Sequence, residues 1–148
     1  MKLNVSAALV RGILIGLLLF GAVSAFAGMV LCSGFNGGGL PLDYLDGTPF
    51  SSYFVPGLIL GVVAGGTQFL AAIGLLRRRD WALIATVVAG FGMMIWIFVE
   101  IALIRQYSDL QTIYFSLGAL ELIAVYALLG LAPGVVRDLE PARERVAR

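Results

Sequence analysis

The chain is predicted to be all-α and polytopic: a single membrane domain in which four transmembrane helices form an antiparallel bundle, with an external lid loop between helices 1 and 2. Three observations predict this. Of the 148 residues, 60% are hydrophobic and 13% charged, and the mean hydropathy is +0.98, a balance foreign to soluble domains. The apolar residues gather into four runs, each near the ~20 residues needed to cross a hydrocarbon core about 30 Å thick. The basic residues then fall almost wholly on one side of those runs. The spans are helices because lipid cannot satisfy the backbone of an open sheet, and the alternation of barrel strands is missing.

The first helix is expected over residues 12–32. Its start, with Lys2, Arg11, an apolar stretch and Ala25-Phe26-Ala27, imitates a secretory signal peptide. The apolar run continues past Ala27 to Cys32 and is longer than a usual signal core, so an uncleaved helix is the favoured reading. Residues 33–53 form the external loop, too long for a mere connector. Asn36-Gly37-Gly38-Gly39 is permissive and expected to be mobile, while Leu40, Leu42, Tyr44, Leu45 and Phe50 are the anchors of a lid. Asp46-Gly47 reads as a turn, Thr48 as a helix cap and Pro49 as a first-turn residue.

The second helix is expected over 54–76, kinked or restarted at Pro56, and a four-residue turn (77–80) leads to the third, over 81–104. About seven residues precede the fourth, over 112–132, so helices 2, 3 and 4 are sequential antiparallel neighbours. The tail 133–148, with alternating charges, is expected to be a short frayed helix. If helix 1 runs from inside to outside, nine of the ten basic residues lie inside: Lys2, Arg11, Arg77, Arg78, Arg79, Arg137, Arg143, Arg145 and Arg148. Only Arg105 lies outside, which places both termini in the cytoplasm. Trp81 at the inner boundary, and Tyr53, Tyr107 and Tyr114 at the outer one, fit aromatic belts.

Glycine spacing is the packing signal. Gly57, Gly61 and Gly65 recur every four residues in helix 2, as do Gly12 and Gly16 in helix 1, and small residues let helix backbones approach closely. The favoured reading is helix 1 against helix 2 within one bundle; the other is a homodimer interface.

The chemistry is mostly excluded by what is absent. With no histidine there is no His-based triad, His-ligated haem or histidine zinc site, and the single Cys32 forms no redox pair, so no metal and no cofactor is expected. A net charge of +1 gives no reason to expect a nucleic-acid partner. Asp43 and Asp46, three apart, lack the further oxygens a calcium site needs. The candidate intramembrane polar site is Glu121, Gln68, Glu100 and Arg105, and no residue is a catalytic candidate. An ionised carboxylate at the bilayer centre costs ~2.5 kcal/mol or more, so Glu121 must face the bundle interior and either find a partner or stay protonated. Gln68, beside Thr67, meets it if their helices are tilted or offset. Glu100, nearer the outer end, can pair with Arg105.

The stretch Gly47-Thr-Pro-Phe-Ser-Ser-Tyr-Phe-Val-Pro-Gly-Leu-Ile-Leu60, with the glycine-rich helix after it, Arg77-Arg-Arg and Trp96-Ile-Phe-Val-Glu100, resembles small bacterial four-helix integral membrane proteins of unassigned function. That resemblance covers residues 47–129 and implies the four-helix architecture and a bacterial inner membrane. Two other small four-helix families do not fit. Small multidrug exporters carry their glutamate in the first helix, which has none here, and quinone-reducing thiol oxidoreductases need a cysteine pair. The leading expectation is a non-enzymatic accessory or interaction protein, binding membrane lipid or another membrane protein. The alternative is a small proton- or cation-coupled transporter or channel built on Glu121; an enzyme acting on a lipid ranks third.

Overall fold

The computed structural model describes residues 6–131. The tail 133–148 and Lys2 lie outside them. Four helices are long and apolar enough to cross a membrane: α1 (Ala7–Phe35), α2 (Phe54–Leu76), α3 (Ala82–Ile104) and α4 (Asp109–Leu131). A single 3-10 turn, Leu42–Leu45, lies in the 36–53 connection. The end of the bundle bearing that connection is called the loop end, and the other, where residues 77–81 join α2 to α3, the turn end.

The helix limits follow from local capping. Ser6 Oγ accepts the Leu9 N–H at 3.2 Å, so α1 starts five residues before the expected position 12. It runs unbroken through Ala25-Phe26-Ala27 and ends at left-handed Asn36 (φ 45°), whose N–H, with that of Gly37, returns to Leu31 O. α3 ends likewise at left-handed Arg105 (φ 54°), and α4 begins at Asp109, three residues earlier than expected. The reason is one half of a capping box: in Ser108-Asp-Leu-Gln111, the Gln111 Oε1 accepts the Ser108 N–H at 2.9 Å, while the Gln111 N–H donates to the Ser108 carbonyl. The α3–α4 link is therefore only residues 105–108 rather than about seven.

Pro56 does not kink α2. It stands in the first turn, where the missing N–H would have had no helical partner. The irregularity comes at Leu60–Gly65, which is wound as a π-helix beside Gly65-Gly66.

Packing is set by close backbone crossings. The Gly57–Gly61–Gly65 face of α2 lies on α1, where a Cβ added to Gly57 would come within 2.5 Å of Cys32 Cβ and one at Gly61 within 2.6 Å of Met29 Cβ. Gly12 and Gly16 take no part, since an added Cβ at either meets nothing within 4 Å. The α1 glycines that do pack are Gly21 and Gly28, the latter against Leu60. α3 and α4 cross at Gly90 and Gly118, where a Cβ on Gly118 would lie 2.6 Å from Gly90 O. The helices thus form a square in chain order, each packing on the next and α4 closing back on α1. The main core fills the turn half, around Leu14, Leu18, Ala71, Ala89, Val125 and Leu128. A smaller cluster of Ala25, Ala64 and Met93 continues it toward the loop end.

The 36–53 connection folds back on itself. Tyr53 is not a belt residue: it is 2% exposed, its N–H donates to Asn36 Oδ1 at 3.0 Å, and its hydroxyl donates to Pro41 O at 2.7 Å. Gly37 (φ 92°) makes room for that ring, which stands 2.7 Å from where a Cβ would be. The glycine run expected to be mobile is therefore part of a defined clasp. Thr48 caps no helix; its hydroxyl donates to Leu45 O at 2.7 Å and accepts the Phe50 N–H at 3.2 Å, closing a turn. Of the expected anchors Leu45 is buried, whereas Leu40 and Leu42 are about half exposed.

Candidate functional site

Four helices converge on one polar side chain halfway along the bundle. Gln68 of α2 and Glu121 of α4 stand on opposite corners of the square, yet both are fully buried, and Gln68 Nε2 donates to Glu121 Oε2 at 2.9 Å across its centre. The same amide reaches Ala89 O of α3 at 3.5 Å. Gly21 of α1 makes the space: a Cβ there would sit 3.0 Å from the Gln68 carboxamide. Thr86 is buried in α3 but closes on its own helix, donating to Ala82 O at 2.8 Å. Two oxygens of the pair, Gln68 Oε1 and Glu121 Oε1, have no partner among the described residues. A proton on the carboxyl would convert one surplus acceptor into a donor, which is what a neutral acid–amide pair requires. As an arrangement, this is a buried brace across the bundle.

Glu100 lies toward the loop end, and its partner is not Arg105. Arg105 is exposed and caps α3 through its backbone; Gln111 Nε2 donates to Glu100 Oε1 at 3.2 Å instead. Gln111 thus serves the helix cap, the Glu100 carboxyl and, at 3.3 Å, the Gln106 carbonyl, and the sequence reading missed it. The Ser108-x-x-Gln111 spacing was the available signal. One turn before Glu100, the Trp96 Nε1 is buried close to the Glu100 carboxyl.

Trp96 and Glu100 stand between two cavities in the loop half. One, of about 450 Å³, lies between α2 and α3 beneath the 36–53 connection, and its walls include Leu45, Tyr53, Pro56, Leu60, Val63 and Ile95. Its surface is almost wholly apolar. The other, of about 540 Å³, lies between α1 and α4 and is more polar, with Ser24, Ser108, Gln111 and Tyr114 on its wall. Trp96, Glu100, Leu40 and Leu60 line both, whereas Gln68 and Glu121 line neither, and no lysine or arginine does. The physical cause is the pattern of crossings. Below the polar pair, small residues bring the helices together; above it, the outer turns of α2 pack on α1 rather than α3, which leaves a slot on the α3 side.

Set against known protein families, curated proteins and solved structures, the chain matches none. The site must therefore be read from its own chemistry. Among the described residues there is no cluster of three or more potential metal ligands, and Asp43 and Asp46 are exposed on the connection. Cys32 is a free, partly buried thiol on the wall of the apolar cavity. Nothing in the arrangement pairs a nucleophile with a base. What it offers is an apolar slot that ends on one carboxylate and one indole N–H.

Proposed function

We propose that this is a non-enzymatic, four-span integral membrane protein that holds a lipid in the loop-half cavity, with the 36–53 connection as its lid, and acts as an accessory to other membrane components. Both termini are cytoplasmic in this reading, and the membrane is a bacterial inner membrane. One observation carries it: an apolar cavity of about 450 Å³ reaches a polar end at Trp96 and Glu100 in a bundle whose other half is close-packed. Cavities of a few hundred Å³ with apolar walls and few polar groups are the usual form of small-molecule sites.

The transporter reading rests on Glu121, and the geometry gives it less support. A coupling carboxylate needs a route for its ion, and Glu121 is fully buried against Gln68. The exposed Gly12 and Gly16 of α1 leave a flat face for a partner protein or a second copy, but no observation favours that over the cavity.

Gly92 provides the test. It lines the apolar cavity, and a Cβ added there meets nothing within 4 Å, so Gly92→Leu fills the cavity without forcing the backbone. Replacing a mid-helix glycine also gains roughly 0.5–1 kcal/mol of helix propensity. Native mass spectrometry of protein extracted from its membrane should show a retained lipid in the wild type, and Gly92→Leu should fold at least as stably and lose it. A wild type with no bound lipid, or a Gly92→Leu variant that keeps the same adduct, would remove the basis of the proposal.

A further inference from the structure

At the turn end, opposite the cavities, three arginines from two separate elements border one small notch. From this we infer that the turn end binds a phosphate group, that of an anionic phospholipid head, between Arg11 of α1 and Arg78 and Arg79 of the 77–81 turn. The inference is independent of the loop-half cavity and holds whether or not that cavity takes a lipid.

Local backbone chemistry fixes how the arginines are presented. α2 closes with the Arg79 N–H donating to Gly74 O at 2.9 Å and the Arg78 N–H to Leu75 O at 3.3 Å, and the Ala82 N–H then returns to Arg79 O at 3.0 Å. The turn is thereby tied at both ends. Arg11, which shares the notch with Arg78 and Arg79, is partly buried near the start of α1. The floor is apolar, made by the buried side chains of Leu75, Leu83 and Leu128 from the other three helices. Among the described residues no acid lines the notch, although Asp80 is next in the chain. Three like charges drawn together over a low-dielectric floor repel one another, and an anion between them turns that repulsion into attraction. A topology signal needs only charge in the turn. It does not require an arginine of another helix to share a notch with that turn, and Arg77, with the same charge, stands outside the notch.

The chemistry of the anion follows from the donors and from their depth. Guanidinium groups present N–H forks that match the oxygens of a phosphate. With about 10 Å³ the notch takes one small group, such as a phosphate oxygen, so the rest of the head lies on the rim and the acyl chains stay in the bilayer. Trp81, packed against Gly74 at the same end and about half exposed, marks the head-group level, where tryptophan is favoured. Leaflet phosphates are therefore at the height of the three arginines. A head that carries its own ammonium is disfavoured beside them, which selects an anionic lipid over a zwitterionic one. Basic pockets between helices on the cytoplasmic side, where the basic bias puts this turn, suit such head groups.

Arg77 provides the control, because it carries the same charge in the same turn without lining the notch. Arg78 provides the clean deletion: it stands at φ 51°, a conformation glycine adopts freely, so Arg78→Gly removes the side chain without disturbing the turn. The full chain in a maltoside detergent is titrated with phosphatidylglycerol and with phosphatidylethanolamine of the same chains, and binding is read by native mass spectrometry beside a melting curve. The wild type should bind phosphatidylglycerol in preference. Arg78→Gly and Arg11→Gln should each weaken that binding about fivefold, the factor that ~1 kcal/mol per basic residue produces, and Arg78→Gly should melt no lower than the wild type. Arg77→Gln should leave the binding intact, and so should Gly92→Leu, which separates this adduct from a lipid in the loop-half cavity. Inorganic phosphate at millimolar concentration should not displace the lipid; displacement would reassign the phosphate to a soluble source and overturn the phospholipid. Equal binding of the two lipids, an equal loss in Arg77→Gln and Arg78→Gly, or an adduct lost in Gly92→Leu but not in Arg78→Gly overturns the site itself. So does a wild type that takes up neither phosphatidylglycerol nor inorganic phosphate.

Discussion

Gln68 and Glu121 show how much one hydrogen bond is worth when there is no water to replace it. Glu121 bonds Gln68 alone, and Gln68 has beside it only the long 3.5 Å contact to Ala89 O, so removing either leaves a buried polar group poorly satisfied. Gln68→Leu and Glu121→Leu are each expected to destabilise by ~1–3 kcal/mol. The double variant should recover most of that loss, because replacing both partners by apolar groups can be nearly neutral. Thermal melting of the four proteins in detergent gives the coupling directly. Losses that simply add would mean the bond contributes nothing. Glu121→Gln should fold normally, since the amide keeps an acceptor for Gln68 Nε2 and supplies a donor for Gln68 Oε1. If that variant also lost a proton-driven flux present in reconstituted wild type, Glu121 would be a coupling site and not a brace.

At the scale of the helix, the glycines divide into those that touch and those that do not. Gly61 and Gly118 lie in backbone crossings, α1–α2 and α3–α4, whereas Gly16 faces open space. Gly61→Leu or Gly118→Leu must push an opposing helix away and should cost more than the ~1–3 kcal/mol typical of overpacking. Gly16→Leu should leave the melting temperature unchanged or raise it through helix propensity. Equal effects at all three positions would contradict the assignment of the crossings. Should Gly16→Leu instead change the oligomeric state on size exclusion, with melting unaltered, the exposed α1 face is a homodimer contact. The spacing of the glycines was legible in the sequence, but which of two equally spaced sets packed was not. A four-residue repeat says that a face is flat; it does not say what lies against it.

For the molecule as a whole, the testable quantity is orientation. The asymmetry of nine basic residues to one predicts that a reporter after Arg148 or at Arg78 is cytoplasmic and one at Gly38 external. An external reporter at Arg78 would overturn the orientation assigned to the spans. A mature N-terminus at Gly28, read by mass spectrometry, would remove the first helix, and with it the Gly21 pocket for Gln68 and the α1 wall of the polar cavity. The whole bundle also decides how the polar candidates are grouped. Glu121 with Gln68 and Glu100 with Gln111 are separate pairs, one sealed in the close-packed middle and one beside the cavities, although Glu100 and Glu121 look alike as acids in apolar runs.

The sequence by itself determined the four apolar helices and the short link between α2 and α3, because these depend on run length and on local backbone chemistry. It also contained signals for three of the helix limits, since Ser6, Asn36 and the Ser108–Gln111 spacing were present as caps, though only the geometry brought them out. Tertiary structure alone decided the partners. That Gln68 crosses the diagonal to Glu121, that Gln111 replaces Arg105 beside Glu100, and that Tyr53 turns inward to clasp Pro41 all depend on helix rotation and tilt. In these helices nearly every residue is apolar, so hydrophobic periodicity marks no inner face. The rotation of each helix is then set by close fit at a few glycines and by polar groups that must be paired. Those are relations between residues far apart in the chain, and no local pattern encodes them.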